Sequence, residues 1–184
     1  MNILAVAILY FVGFYANDAL FADLEHHRGA HWIFLPAGLR LLSILLLGSI
    51  GAIGIFLGSL LVAFHPGEST LIDIIVEALI SAGAPLLTYF LALRYGLSVD
   101  LKNLNAKSLF LLATFFAAAS ALLHSIWFAT QGVAEGVAES FAASFLAMFV
   151  GDLLGTIIVL YVIRAGLIFM DHRRKRSNNQ NELD

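Results

Sequence analysis

Six apolar segments separated by short polar stretches dominate the pattern of hydrophobic and polar positions along the chain. A helix needs about 20 mostly apolar residues to cross a bilayer, and the second and third segments are shorter than that. These two meet at Gly48-Ser49-Ile50-Gly51, where we expect a tight turn, because one helix through both would be too long for a bilayer. The pattern predicts helices over residues 2–20, 32–47, 49–64, 71–93, 108–128 and 141–169.

The composition of the chain is that of a membrane protein. Of its 184 residues, 60% are hydrophobic and 12% are charged, whereas soluble domains carry about 25% charged residues. We therefore predict an all-α integral membrane protein, a bundle of about six transmembrane helices that forms one domain over residues 1–171. Residues 172–184, basic and then polar, are expected to be a disordered tail. The chain has no cysteine, which excludes disulfides and thiolate metal sites.

The basic residues predict the orientation of the bundle. Arg94, Lys102 and Lys107 lie between or at the ends of the fourth and fifth segments, and residues 173–176 are all basic. The loops that would face the other side, such as residues 23–28, are mostly acidic or neutral. Because cytoplasmic loops of membrane proteins carry an excess of Lys and Arg, we expect both termini to be cytoplasmic.

A buried charge pair is the main candidate for a functional centre. Arg40 lies near the middle of the second helix, where a cation costs roughly 3 kcal/mol or more, and Asp152 lies at a similar depth in the sixth. We predict that they pair, or share a polar network with Ser43, Ser144 and Thr156. Either the pair only holds two helices in register, or Arg40 faces a cavity and binds an anionic or carbonyl-bearing ligand, with Asp152 orienting it.

Other polar residues fall near the predicted outer ends of the helices. They could line a pocket for a ligand or ion that opens to the outside, although polar side chains near helix ends also lie close to water. In the first outer loop, the i,i+4 spacing of His27 and His31 permits a metal site if the loop is helical; a solvated loop is the simpler expectation. No cofactor is expected. The residues of the possible outer pocket are Asp18, His65, Asp73, Glu77 and His124.

Small residues recur at the spacing of close helix contacts. Gly54 and Gly58 form one G-x-x-x-G pattern, and Gly151 and Gly155 form another. Such glycines let helix backbones approach closely, either inside one subunit or between two copies of the chain. The residues expected in helix packing are Pro36, Gly38, Gly48, Gly51, Gly54, Gly58, Gly151 and Gly155.

Three segments together resemble a known family, the bacterial membrane-associated sensor (MASE) domain of the first type. They are Leu35-Pro36-Ala37-Gly38-Leu39-Arg40-Leu41 with the following Leu47-Gly48, then Ile55-Phe56-Leu57-Gly58-Ser59, and finally Gly151-Asp152-Leu153-Leu154-Gly155. The first segment is also similar to the membrane domains of sugar-phosphate sensor kinases, and the last resembles the G-D-x-x-G element of the family. The Trp-Pro usual between the two early helices is replaced by Ala52-Ile53-Gly54.

The resemblance implies a sensory membrane domain in the bacterial inner membrane. Family members usually carry more spans and a kinase, cyclase or phosphodiesterase domain, which this chain does not show, so we expect a stand-alone module that acts through a partner. The chain has no glycine-rich phosphate loop, nucleophile elbow or paired catalytic carboxylates, and a non-enzymatic sensory or accessory subunit is the preferred hypothesis.

Two further functions stay open at this point. One is the substrate-binding subunit of a small-molecule, vitamin-type uptake transporter, since such subunits are also small six-helix proteins with an outward pocket. The other is a structural subunit of a membrane complex that binds no ligand. The expected partners are the lipid bilayer and another membrane protein or a signalling or transport complex, with a second copy of the chain as a further candidate and nucleic acid excluded.

Overall fold

A computed structural model gives the fold, and it describes residues 3–21, 25–27, 30–64, 70–96, 105–130 and 137–181. All six predicted helices are present, which confirms the all-α membrane fold. A short antiparallel hairpin between the first two helices pairs Glu25 with His31 and His27 with Ala30. The elements are α1 (Ile3–Phe21), β1 (Glu25–His27), β2 (Ala30–His31), α2 (Leu35–Leu47), α3 (Ser49–Ala63), α4 (Leu71–Arg94), α5 (Ala106–Thr130) and α6 (Val137–Asn181).

Four of these helices are long and apolar enough to cross a bilayer within the described residues: α1, α4, α5 and the Phe141–Leu167 part of α6. The other two, α2 and α3, contain 13 and 15 residues, roughly 20 and 23 Å at 1.5 Å per residue. They are joined at Gly48, whose φ of 55° lies in the left-handed region that favours glycine. The predicted turn between the second and third helices is therefore present.

Contacts between the helices define their directions. The side-chain Oδ1 of Asn17 in α1 accepts a hydrogen bond from the backbone N of Leu35 at 2.9 Å, and Gly13 of α1 faces Leu39, so α1 and α2 are antiparallel. In contrast, α2 runs parallel to α6, because Gly38 lies against Gly155 and Val159. The start of α1 and the end of α6 thus lie at the end of the bundle that holds Gly48, which we call the inner end. The opposite end is the outer end.

Three apolar clusters form the interior of the described part. The first joins α2, α4, α5 and α6, the second joins α1, α3 and α4, and the third joins α5 and α6. Large apolar side chains cover much of the exposed sides of the helices, as contact with lipid requires. The fully buried members of the first cluster include Ala37, Leu41, Ala84, Phe116 and Leu160; the second is built from Val6, Tyr10, Ile55 and Ala82.

The glycines of α3 pack inside the chain. A side chain at Gly54 would meet Val6 of α1, and one at Gly58 would meet Ala7 and Tyr10 of the same helix. Gly51 lies so close to the backbone carbonyl of Ser43 in α2 that a Cβ would collide with it. These contacts use the small residues for packing within one chain, the first of the two roles that the spacing predicts.

The C-terminal part of the chain differs from the sequence-based expectation. Residues 172–184 are expected to be disordered, whereas α6 continues to Asn181. The physical reason lies in the sequence, because no Gly or Pro follows Gly166 to end the helix. The resulting helix of 45 residues is roughly 68 Å long and extends well past its apolar part.

Candidate functional site

The structure brings Arg40 and Asp152 together between α2 and α6. The Arg40 Nη2 donates a hydrogen bond to the Asp152 Oδ1 at 3.0 Å, and the two residues are only 2% and 5% exposed. An opposite charge in contact offsets part of the cost of burying each ion. Arg40 and Asp152 are 112 residues apart in sequence, so the ion pair joins two distant helices.

Two aromatic rings flank the guanidinium group. Its Cζ lies 5.3 Å from the ring centre of Phe34 and 5.5 Å from that of Phe116 in α5. Cations are attracted to the faces of aromatic rings, and the attraction is strongest where water is excluded. We call Arg40, Asp152, Phe34, Phe116 and the neighbouring Ser120 the Arg40–Asp152 centre. Sequence reasoning missed both rings, because hydrophobic patterns alone do not show which aromatic side chain faces a cation.

The two glycines that flank Asp152 explain how α2 reaches α6. A Cβ at Gly151 would collide with the backbone carbonyl of His31, and one at Gly155 would collide with that of Phe34. The backbone N of Phe34 also donates a hydrogen bond to the Gly151 carbonyl at 3.2 Å. Residues 31–34 therefore lie directly on the backbone of α6, and the first turn of α2, which contains the buried Pro36, follows this contact.

Side chains from α5 and the hairpin complete the surroundings of the carboxylate. Ser120 and His31 lie within electrostatic reach of Asp152, and His124 lies within reach of Arg40. The Nδ1 of His124 is 2.9 Å from the backbone carbonyl of Ser120. His31 is buried and its ring stacks on Phe34, with centres 5.5 Å apart. The hairpin thus places an imidazole ring beside the Arg40–Asp152 centre.

Several buried polar atoms around the pair have no hydrogen-bond partner among the described residues. They are the Arg40 Nε, the His31 Nδ1 and the Thr156 Oγ1. A buried polar group without a partner costs about 1–3 kcal/mol. This arrangement of the centre is therefore less stable than one in which those atoms are paired.

The residues of the predicted outer pocket have separate surroundings. Asp18 is exposed. Asp73 completes a capping box at the start of α4, where its carboxylate accepts hydrogen bonds from the Thr70 backbone N at 2.9 Å and Thr70 Oγ1 at 2.6 Å. Glu77 is half-buried one turn later, and His124 belongs to the surroundings of Arg40. His65 lies outside the described residues, and the outer pocket stays a prediction.

The geometry assumed for a metal site at His27 and His31 is absent. Both residues lie in the strands β1 and β2, so the helical i,i+4 spacing that predicted the site does not apply; the side chain of His27 lies outside the described part. No group of three or more potential metal-ligating side chains occurs in the ranges that the structure describes.

Comparison with known proteins places the sequence in one family. The chain matches the family model MASE1 over residues 1–184, its whole length. No curated protein and no solved structure matches it.

Proposed function

Because the chain belongs to the MASE1 family of membrane-associated sensor domains, we propose that it is a non-enzymatic sensory module in which α6 transmits a signal from the outer half of the bundle to a partner at the inner end. The contact of residues 31–34 with Gly151 and Gly155 is the observation that carries this proposal. Through it, any change in the outer connection between α1 and α2 acts directly on the backbone of α6.

The length of α6 supports the transmission step. From Gly151 the helix continues for 30 residues to Asn181, which corresponds to roughly 45 Å. Its apolar part ends near Leu167, and Arg173 beyond it is exposed and lies over the Phe169 ring at 5.0 Å. A rigid helix that crosses the bundle and extends beyond it transmits a displacement from one end to the other.

The Arg40–Asp152 centre supplies the two-state element that such a mechanism needs. The ion pair holds α2 on α6, and buried polar atoms beside it are available to a further hydrogen-bond partner. A signal can shift an equilibrium only if it interacts differently with the two states. A ligand or a change in the hairpin that pairs the His31 Nδ1 or the Arg40 Nε would provide that difference.

Photo-crosslinking in cells tests the proposed partner. A photoreactive amino acid in place of Arg173 is expected to trap a signalling enzyme or a larger signalling complex, identified by mass spectrometry. The same amino acid in place of Leu79, a lipid-exposed residue of α4, is the control and should trap none of it. Capture of an ATPase pair at residue 173 would contradict the proposal and indicate a vitamin-type uptake transporter. Capture of a membrane complex that contains no signalling enzyme would favour a structural subunit, and capture of no protein would contradict the proposed partner at this end.

A second arm tests whether the centre takes part. Asp152→Asn weakens the attraction that holds α2 on α6, and we expect it to change the yield of the crosslink at residue 173. Thr114→Val, which changes an exposed hydroxyl bonded only within α5 at 2.8 Å, is the matched control. An unchanged yield in Asp152→Asn would remove the centre from the mechanism while leaving the partner in place.

A further inference from the structure

An apolar groove opens between α4 and α5 near the inner end of the bundle. Its volume is about 220 Å³. Thr88, Ala92 and Leu112 form a buried floor, and Leu111 and Phe115, which are 50% and 55% exposed, form one rim. Leu91 and Tyr95 line the opposite side. We call this feature the α4–α5 groove.

Almost none of the surface that lines the groove is polar. Thr88 and Tyr95 carry its two side-chain hydroxyls, and the Thr88 Oγ1 donates a hydrogen bond to the Ala84 carbonyl of its own helix at 2.9 Å. Apolar cavities of about 150 Å³ exclude water and take up apolar molecules. The α4–α5 groove is larger and equally apolar, and an apolar occupant is therefore the one that suits it.

Two cations lie at the inner end of the groove, one on each of its two helices. Arg94 of α4 precedes the lining residue Tyr95, and Lys107 of α5 lies one helical turn before the lining residue Leu111. Both cations are exposed.

We propose that the α4–α5 groove binds one acyl chain of an anionic phospholipid, whose phosphate lies near Arg94 and Lys107. The apolar floor and the cations at its inner end match the two parts of such a lipid in the right order along the bundle. Basic residues at the membrane surface attract anionic head groups. The groove shares no lining residue with the Arg40–Asp152 centre, and the proposal does not depend on the signalling role proposed above.

Native mass spectrometry of the delipidated full chain tests the site with dioleoyl phosphatidylglycerol and dioleoyl phosphatidylcholine as probes. We expect one tightly bound phosphatidylglycerol, and an affinity for phosphatidylcholine about tenfold lower, equivalent to ~1.4 kcal/mol. Ala92→Phe, which fills the floor, should abolish the tight binding of phosphatidylglycerol. Ala165→Phe, on an exposed face of α6, is the matched control and should leave it unchanged.

The head-group contact is tested separately. The double variant Arg94→Gln/Lys107→Gln should lower the affinity for phosphatidylglycerol to that for phosphatidylcholine, whereas Arg173→Gln should not. If Ala92→Phe fails to fold, Leu111→Trp blocks the groove from its half-exposed rim and serves instead. Unchanged phosphatidylglycerol binding in a folded groove-filling variant would overturn the proposal, as would equal losses in Ala165→Phe. Co-purification of a protein that only the groove variants lose would instead indicate a partner helix as the occupant.

Discussion

The Arg40–Asp152 centre and the α4–α5 groove share helix α5 and lie one turn apart on it, since Phe116 belongs to the centre and Leu112 to the groove. In the centre, a charge pair and close backbone contacts hold the helices at defined positions, and several polar atoms lack partners. In the groove, the lining surface is almost entirely apolar, and the buried Thr88 hydroxyl is bonded within its own helix. The contacts of the Arg40–Asp152 centre are directional and are lost on small displacements of the helices. The apolar contacts of the α4–α5 groove tolerate such displacements.

The contrast predicts where substitutions have large effects. Directional contacts fail when one atom is removed, because the remaining partner is left buried and uncompensated. Apolar contacts lose free energy in proportion to the surface that is exposed. Changes at the centre should therefore cost several times more than changes of similar size in the groove.

The largest effect is expected from Asp152→Ala. Loss of the carboxylate leaves the Arg40 guanidinium buried without its partner, which should lower the free energy of unfolding by about 3–5 kcal/mol. Reversible unfolding in mixed micelles measures this. The double variant Arg40→Met/Asp152→Leu should recover most of the loss, and the exchange Arg40→Asp/Asp152→Arg should restore folding if the pair serves structure alone. A cost below about 1 kcal/mol for Asp152→Ala would mean that the pair does not hold the helices.

The next largest effect is expected from Gly151→Ala. The new Cβ collides with the His31 carbonyl, and the segment must move off α6, at a cost of up to about 3 kcal/mol. Gly166→Ala is the matched control on the same helix, because nothing lies within 4 Å of its Cβ position. That control should be neutral or stabilising by roughly 0.5–1 kcal/mol. Equal melting temperatures for the two variants in detergent would contradict the close contact between residues 31–34 and α6.

Phe116 and Phe115 offer a comparison at the boundary between the two regions. Phe116 is fully buried and faces the Arg40 guanidinium, whereas Phe115 is exposed at the rim of the groove. Phe116→Leu should cost about 1–2 kcal/mol through lost packing and the lost cation–π contact. Phe115→Leu should change the free energy of unfolding by less than about 0.5 kcal/mol. A larger effect at Phe115 would break the distinction between the regions.

The smallest effects are expected from two Thr→Val changes. Thr88→Val in the groove removes one hydrogen bond to the Ala84 carbonyl, worth about 0.6 kcal/mol inside a membrane protein. Thr156→Val, one turn from Asp152, removes a fully buried hydroxyl that has no partner among the described residues and should not destabilise the protein. A loss above about 1 kcal/mol at Thr156 would show that its hydroxyl is bonded in the working protein, and would favour a ligand at the centre.

The helices could be predicted from the sequence because their signal is local. Apolar length identifies each one, and Gly48 identifies the turn between α2 and α3. The positions of Arg40 and Asp152 along their helices place both side chains near the middle of the bilayer. Because the two charges are opposite and lie at a similar depth, the sequence predicts that they pair. The end of α6 was not predicted, because a polar composition after residue 172 does not by itself stop a helix.

The side chains that surround the Arg40–Asp152 pair could not be predicted from the sequence, because they depend on packing between residues distant in the chain. The polar pattern points to Asp18 as a site residue, but the fold leaves Asp18 exposed and buries its neighbour Asn17. The same pattern predicts a solvated loop around His31, whereas His31 is buried against Phe34. Polarity indicates that a residue needs a partner, but the direction in which each side chain points is set by neighbours distant in sequence.

The short length of α2 and α3 has a consequence for the surrounding lipid. A typical hydrocarbon core is about 30 Å thick, and the two helices measure roughly 20 and 23 Å. Where α3 presents Ile53, Leu57 and Leu61 outward, the bilayer must thin locally to match, at a cost of fractions of a kcal/mol per ångström. Because α2 carries Arg40, acyl-chain length in the host membrane acts on the same helix that holds the ion pair.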